Sequence, residues 1–299
     1  MELFNIVVGL SYCFSSMALI VLNGLLLMVM NKYKDYSTMT YFIIKNICVV
    51  GIAQLISFFV GGIMTIANST FHFWLDKSLG ALVQSGWFLY LGLSLTLAID
   101  RLLLFIPPKS PRLKKFITSS FLLLSWTIWI ITGFMLLMPD FSYTYLGPNG
   151  LYLWVYSDDD GSSRMQSAES YFDLIMFGLV FLVYIVVFGH LVKLRKSTSV
   201  SSISFRLEVR IFIIAVISFT YESVFIICNF WMPDCLSKQF YINIIINLSW
   251  IVDSGLLAIV TLVVNKNLRD RVKRLSVKRS FVNVSTVQIV NHWARDTAS

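Results

Sequence analysis

Charge is scarce in this sequence: Asp, Glu, Lys and Arg together make up 13% of 299 residues. A soluble domain keeps about a quarter of its residues charged, because its surface faces water. With 57% hydrophobic residues and a mean hydropathy of +0.75, most of this surface must face something apolar, and lipid is the economical partner. Histidine is nearly missing, at three residues, and the four cysteines (Cys13, Cys48, Cys228, Cys235) lack the paired short spacing that zinc sites use. No metal and no cofactor are expected. No nucleophile–base pair stands out either, which argues against an enzyme. The six prolines (Pro107, Pro108, Pro111, Pro139, Pro148, Pro233) all fall in or beside loops, so the apolar stretches lack the breaks of discontinuous transporter helices. Internal duplication is not visible, which weakens repeat-built transporters further.

What is abundant is long apolar runs. A helix needs about 20 mostly apolar residues to cross the hydrocarbon core. Seven runs qualify, at 6–30, 41–67, 79–105, 116–138, 171–194, 207–231 and 241–264. Helices rather than strands follow, because an open sheet edge cannot satisfy its backbone in lipid. The fold class expected is an all-α membrane protein, a seven-transmembrane helix bundle filling 1–275. A cytoplasmic tail over 276–299 is expected to be disordered.

The net charge of +8 is concentrated in short blocks between the runs, which excludes a nucleic-acid surface and instead sets orientation. Lys32 and Lys34, then Lys109 to Lys115, then Lys193 to Arg206, then the basic tail from Lys266 all fall on one side. The other side has Lys77, Arg164 and Lys238. The basic side is cytoplasmic, which puts the tail inside and Met1 outside. The sequon Asn68-Ser69-Thr70 and the acidic run Asp158-Asp159-Asp160 then lie outside, as expected of a glycosylated plasma-membrane protein. The first run is longer than a signal-peptide core and its basic residues follow it, so it reads as a retained helix.

Asp100-Arg101 closes the third span at its cytoplasmic end. The bland reading is a charged helix terminus at the interface. The functional reading is an activation switch, in which the planar Arg101 guanidinium holds an acidic partner and releases it; Glu208, opening the sixth span, is the expected partner. Glu222 and Asp253 lie midway along the sixth and seventh spans, where ionisable groups face a cavity or each other. Either they join Asn23 and Gln54 in a polar core that rearranges, or they are neutral carboxyls that help helices pack.

Asp100-Arg101-Leu102 resembles the third-helix Asp/Glu-Arg-Tyr motif of the rhodopsin-like G-protein-coupled receptors. Asn23, Asn46 and Trp126 sit where that family keeps Asn, Asn and Trp in its first, second and fourth helices. Asn265-Lys266-Asn267-Leu268-Arg269 is similar to the junction into its short surface helix. Leu268, Val272 and Leu275 give that segment one apolar face amid basic residues, suited to an anionic inner leaflet. Departures are specific. Gly51 replaces the family's sodium-binding Asp, Leu257 to Thr261 replaces Asn-Pro-x-x-Tyr, and the usual outer disulfide lacks both cysteines. Ile99 to Leu103 followed by Pro107-Pro108, Arg206 to Arg210, and Trp250 to Gly255 look like the nematode serpentine chemoreceptors. That resemblance implies small-molecule sensing, or olfaction, from sensory cilia. The seventh span has no lysine for an opsin's Schiff base.

If the helices bundle as in that family, their outer halves enclose a ligand pocket from Val83, Gln84, Trp87 and Phe88, Asn229 and Phe230, and Asn247 and Ile251. Aromatic walls with a few amides suit a small, mostly apolar ligand. The outer stretch 143–170 either covers the pocket or is mobile, with no disulfide to pin it, and Cys228 and Cys235 could bridge. The expected function is signalling to a heterotrimeric G protein through the basic inner loops. The competing reading is a transporter or ion channel that uses Glu222 and Asp253. Insect odorant receptor channels also have seven spans but the opposite orientation.

Overall fold

The computed structural model describes residues 2–108, 110–147, 152–196, 202–227 and 240–274; within helices, the side chains of 2, 194–196, 202–208, 210, 211 and 240 are not described. Seven long helices carry the chain: α1 (Glu2–Lys32), α2 (Met39–Ala67), α3 (Phe73–Phe105), α4 (Pro111–Leu137), α5 (Asp160–Lys196), α6 (Ser202–Ile226) and α7 (Phe240–Val264). A further helical stretch, α8, covers 266–274. Among the described residues six of the long helices are long and apolar enough to cross a membrane, and α6 adds a shorter apolar stretch, Phe212–Ile226.

Local chemistry sets the ends. α2 stops at Asn68, whose φ of 52° is left-handed and tolerated best by Gly and Asn. α3 starts behind His72, whose Nδ1 accepts the Trp74 amide at 3.2 Å. α4 starts with Ser110 Oγ accepting the Arg112 amide and with Pro111 in the first turn, where a missing N–H costs nothing. Asn265 Oδ1 caps α8 by accepting the Leu268 amide, and the Arg269 guanidinium reaches back to the Val263 carbonyl at 2.9 Å.

α3 is the axis of the bundle. In the most apolar window of α3, as in that of α7, 67% of residues are buried, against 17% in α4 and 28% in α1. The outer helices turn Phe14, Phe116, Leu123, Phe134 and Leu182 outward, an apolar belt that only lipid can cover. α1 and α2 touch through glycine: a Cβ on Gly62 would stand 2.8 Å from the Gly9 carbonyl oxygen and 2.7 Å from Cys13 Sγ. A Cβ on Gly51 would likewise overlap the Ser254 carbonyl, so α2 and α7 meet backbone to backbone.

Two expectations change. The fifth helix begins at Asp160, not at 171, about three turns earlier, because its Ser- and Asp-rich start rises beyond the membrane against its neighbours. The outer stretch is not a loose loop. It forms an antiparallel hairpin, β1 (Tyr143–Leu146) and β2 (Leu153–Tyr156), with Tyr143 opposite Tyr156 and Tyr145 opposite Trp154. Of the α8 face, Leu268 is fully buried and Val272 packs on the core, while Leu275 lies outside the described residues, as do the tail expected over 276–299 and both Cys228 and Cys235.

Candidate functional site: an outer cavity and an inner cleft

The hairpin is wedged into the outer mouth of the bundle without a disulfide. The Tyr145 amide donates to Asp76 Oδ1 at 2.9 Å, and the Tyr145 hydroxyl shares a 2.6 Å hydrogen bond with Thr65 Oγ1. Asp76 stands at the outer end of α3, where the resembled family keeps its cysteine. Tyr12 of α1 donates to the Tyr152 carbonyl, the Tyr152 hydroxyl donates to Asn5, and Lys77 Nζ donates to the Met138 carbonyl at 2.6 Å. Gly80 makes the docking possible, since any Cβ there would overlap the Tyr143 carbonyl. Burial pushes the Tyr143, Tyr145 and Tyr156 phenols above their ordinary value, so they stay neutral within the wedge.

Beneath the hairpin lies a cavity of about 100 Å³. Its walls are Trp87 from α3, Tyr143, Trp154 and Tyr156 from the hairpin, Phe225 from α6 and Trp250 from α7. The rings interlock: Trp87 and Trp250 meet edge to face at 6.2 Å, as do Tyr143 and Trp250. One carboxylate, Glu169 of α5, enters the wall, and Gln166, itself exposed, forms an outer edge. A turn further on, Asp173 takes the Trp87 indole N–H on both oxygens, at 3.2 and 3.3 Å.

Of the expected pocket residues, Trp87 lines this cavity. Gln84 is fully buried beside Glu169 and Tyr156, but its amide falls outside hydrogen-bond geometry with them. Phe88 packs on Phe172 at 5.1 Å instead. Val83 and Ile251 are fully buried in the core and form no part of the wall, and Asn247 is buried near Tyr12. Asn229 and Phe230 lie outside the described residues. Glu169, Asp173, Trp250 and the hairpin were not foreseen. Acidic residues four apart signal one helix face, but only once 160–170 is read as helix. Tyr-Thr-Tyr-Leu and Leu-Trp-Val-Tyr, separated by Gly147-Pro148-Asn149-Gly150, carry the β-propensity and turn residues of a hairpin.

Midway down, Tyr90 donates to Glu222 Oε1 at 2.5 Å, one turn below Trp87, with which it stacks at 5.9 Å. Asp253 lies beside Glu222, fully inside, with Oδ1 lacking a hydrogen-bond partner among the described residues. Gln54 ties α2 to the Val83 carbonyl and accepts from Ser254, whereas Asn23 turns to the Leu19 carbonyl of its own helix. The polar core is thus two groups rather than one.

At the end of α3 away from the hairpin, Arg101 and Asp100 are both buried and pair at 2.7 Å. Thr40 of α2 donates to Asp100 Oδ2 at 2.6 Å and accepts from Arg101. Lys114 adds a cation 3.8 Å from Asp100. The pair opens on a cleft of about 440 Å³ between α2, α3 and α8, with Tyr41, Lys114, Asn265 and Arg271 around it. The expected partner, Glu208, has a side chain outside the described set. Arg271 of α8 donates to Asp35 at 2.5 Å and lies over the Tyr33 ring at 4.4 Å, which clips α8 to the loop between α1 and α2. The bond from Asp35 holds the Arg271 guanidinium above its ordinary value.

No protein-family model matches the sequence, and no curated protein is similar to it. In three dimensions the chain is similar to the crystal structure of squid rhodopsin, with a TM-score of 0.66 and 15% identity over 92% of this chain and 85% of that one. At that identity the likeness establishes the fold: a multi-pass, all-helical membrane bundle with the seven-helix rhodopsin-like arrangement.

Proposed function

We propose that this chain is a chemosensory G-protein-coupled receptor of the nematode serpentine type, which binds a small extracellular molecule and signals to a heterotrimeric G protein. The observation that carries the reading is the buried Asp100–Arg101 pair at the inner end of the axial helix, facing a cleft rimmed by cations. A buried guanidinium held, among the described residues, by the Asp100 carboxylate and the Thr40 hydroxyl is a two-state element: it can exchange those partners for others when neighbouring helices move.

The path from outside runs along α3. Ligand in the cavity touches Trp87; Trp87 stacks on Tyr90; Tyr90 holds Glu222 of α6. A ligand that binds better when α6 is displaced shifts the population toward that arrangement, and the surroundings of Arg101 change with it. Asp100, Arg101, Glu208, Glu222 and Asp253 form the switch in this reading. Among the described residues the membrane helices run unbroken, unlike the interrupted helices that serve transporters. The protein sits in the plasma membrane, in sensory cilia, with its N-terminus outside, the hairpin and Asn68 on the outer face and α8 on the inner leaflet.

The test is a small-molecule screen in cells that express the chain with a G-protein sensor. An active compound is expected to lose its response in Arg101→Ala at matched surface expression. A response that survives this substitution undiminished refutes the role of Arg101, and a ligand-gated current without sensor activation refutes the receptor reading.

A further inference from the structure

The cavity beneath the hairpin has a polarity that a mostly apolar ligand does not explain. Glu169 is 3% exposed and Asp173 1%, and among the described residues neither forms an ion pair with a lysine, arginine or histidine. A carboxylate removed from water needs a counter-charge or a full set of donors. Asp173 has the Trp87 indole; Glu169 faces the cavity beside the Tyr156 hydroxyl and the Gln84 amide, with neither in full hydrogen-bond geometry among the described residues. Around it stand the faces and edges of Trp87, Tyr143, Tyr156, Phe225 and Trp250, the surroundings that favour an organic cation. The Trp154 and Trp250 rings are themselves 1% and 6% exposed, with their indole nitrogens packed into the protein, that of Trp154 against Gly61 of α2.

We propose that this aromatic cavity, with Glu169 in its wall, takes a small organic ammonium. The ammonium sits against Glu169 among the rings. Asp173, anchored by Trp87, adds negative potential from one turn away and positions Trp87 as part of the cage. The volume favours a small guest: about 100 Å³ is well below the roughly 300 Å³ of a drug-sized site. An inorganic divalent cation fits poorly, since it asks for six or more oxygens where the wall offers one carboxylate and rings. The assignment rests on the receptor reading only for where the ligand acts, and it replaces the mostly apolar ligand expected from the sequence.

The full chain in lipid nanodiscs is titrated with ethanolamine, with choline, and with the neutral carbon isostere of choline, and followed by the fluorescence of the cavity tryptophans. Saturable binding of at least one ammonium, about tenfold or more tighter than the neutral isostere, is expected. Glu169→Gln is expected to weaken it by about thirtyfold or more. Equal binding of the isostere and choline overturns the proposal, as does the absence of saturable binding by either ammonium. If Glu169→Gln does not fold, the charged-against-neutral comparison on the unaltered chain still decides. The G-protein sensor run in parallel separates the two readings. Neutral compounds that activate it while ammonium compounds do not bind sink the ligand class alone. Charge-dependent binding without activation by any ligand supports the ligand class and sinks the receptor reading.

Discussion

At Asp253 a buried carboxylate oxygen has no donor among the described residues, while its neighbour Glu222 takes the Tyr90 hydroxyl. Two acids side by side across α6 and α7 disfavour that arrangement unless one is neutral, so the pair is a place where a small change in helix position alters energy. Asp253→Asn gives Glu222 an amide donor and should tighten the contact by about 0.6 kcal/mol, the average for hydrogen bonds between membrane helices. The expected outcome is unchanged or slightly higher thermal stability with a ligand-evoked response reduced severalfold, measured at matched surface expression. An unaltered response would remove Asp253 from the switch. The two acids were legible in the sequence because ionisable groups inside apolar runs are conspicuous. Their separation from Asn23 was not, because a side chain long enough to reach either its own helix or a neighbour gives no sign of which it chooses.

The hairpin is the element on which the outer half depends. Its chief anchor is one carboxylate oxygen of Asp76 on a backbone N–H. Asp76→Ala leaves the buried Tyr145 amide unpaired, a loss of about 1–3 kcal/mol, and hydrogen exchange across 143–156 should accelerate while exchange in α3 does not. Asp76→Asn keeps an acceptor and should retain most of the protection; equal loss in both variants would mean that charge, not the hydrogen bond, holds the hairpin. Alkali offers a second handle. Folded-state phenol values at Tyr143, Tyr145 and Tyr156 lie above the ordinary 10.0, so docking is fully stabilised below about pH 10 and weakens as pH rises beyond it. Trp154 emission should report undocking above that pH, with a later onset in Tyr143→Phe; an onset that does not move would exonerate Tyr143. This element was in the sequence and still passed over, because the lack of cysteines drew attention to mobility. Asp76 was missed because an acid in a first helical turn already has a reason to be there.

Across the whole molecule, the hydrophobic runs carried the architecture, since a bilayer leaves an apolar segment of this length almost no alternative to a helix. Helix ends beyond the bilayer were less legible: the Asp- and Ser-rich start of α5 has a loop's composition and is helical with Ser162 tied to the Ser142 backbone, next to the hairpin. Orientation rests on the cations and can be checked at Asn68, which is exposed at the hairpin end of α2. Thr70→Ala removes the sequon without disturbing the left-handed Asn68. It should abolish a glycosidase-sensitive mobility shift present in the unaltered chain, while an N-terminal epitope is stained without permeabilisation. An epitope stained only after permeabilisation would invert the topology.

The glycine contact between α1 and α2 matters for how the protein is made. A ribosome delivers these two segments before any later span exists, and Gly9 against Gly62 asks nothing of those still to come. The pair can settle as a ready-made platform in the translocon's vicinity, and each later arrival has a finished surface to land on.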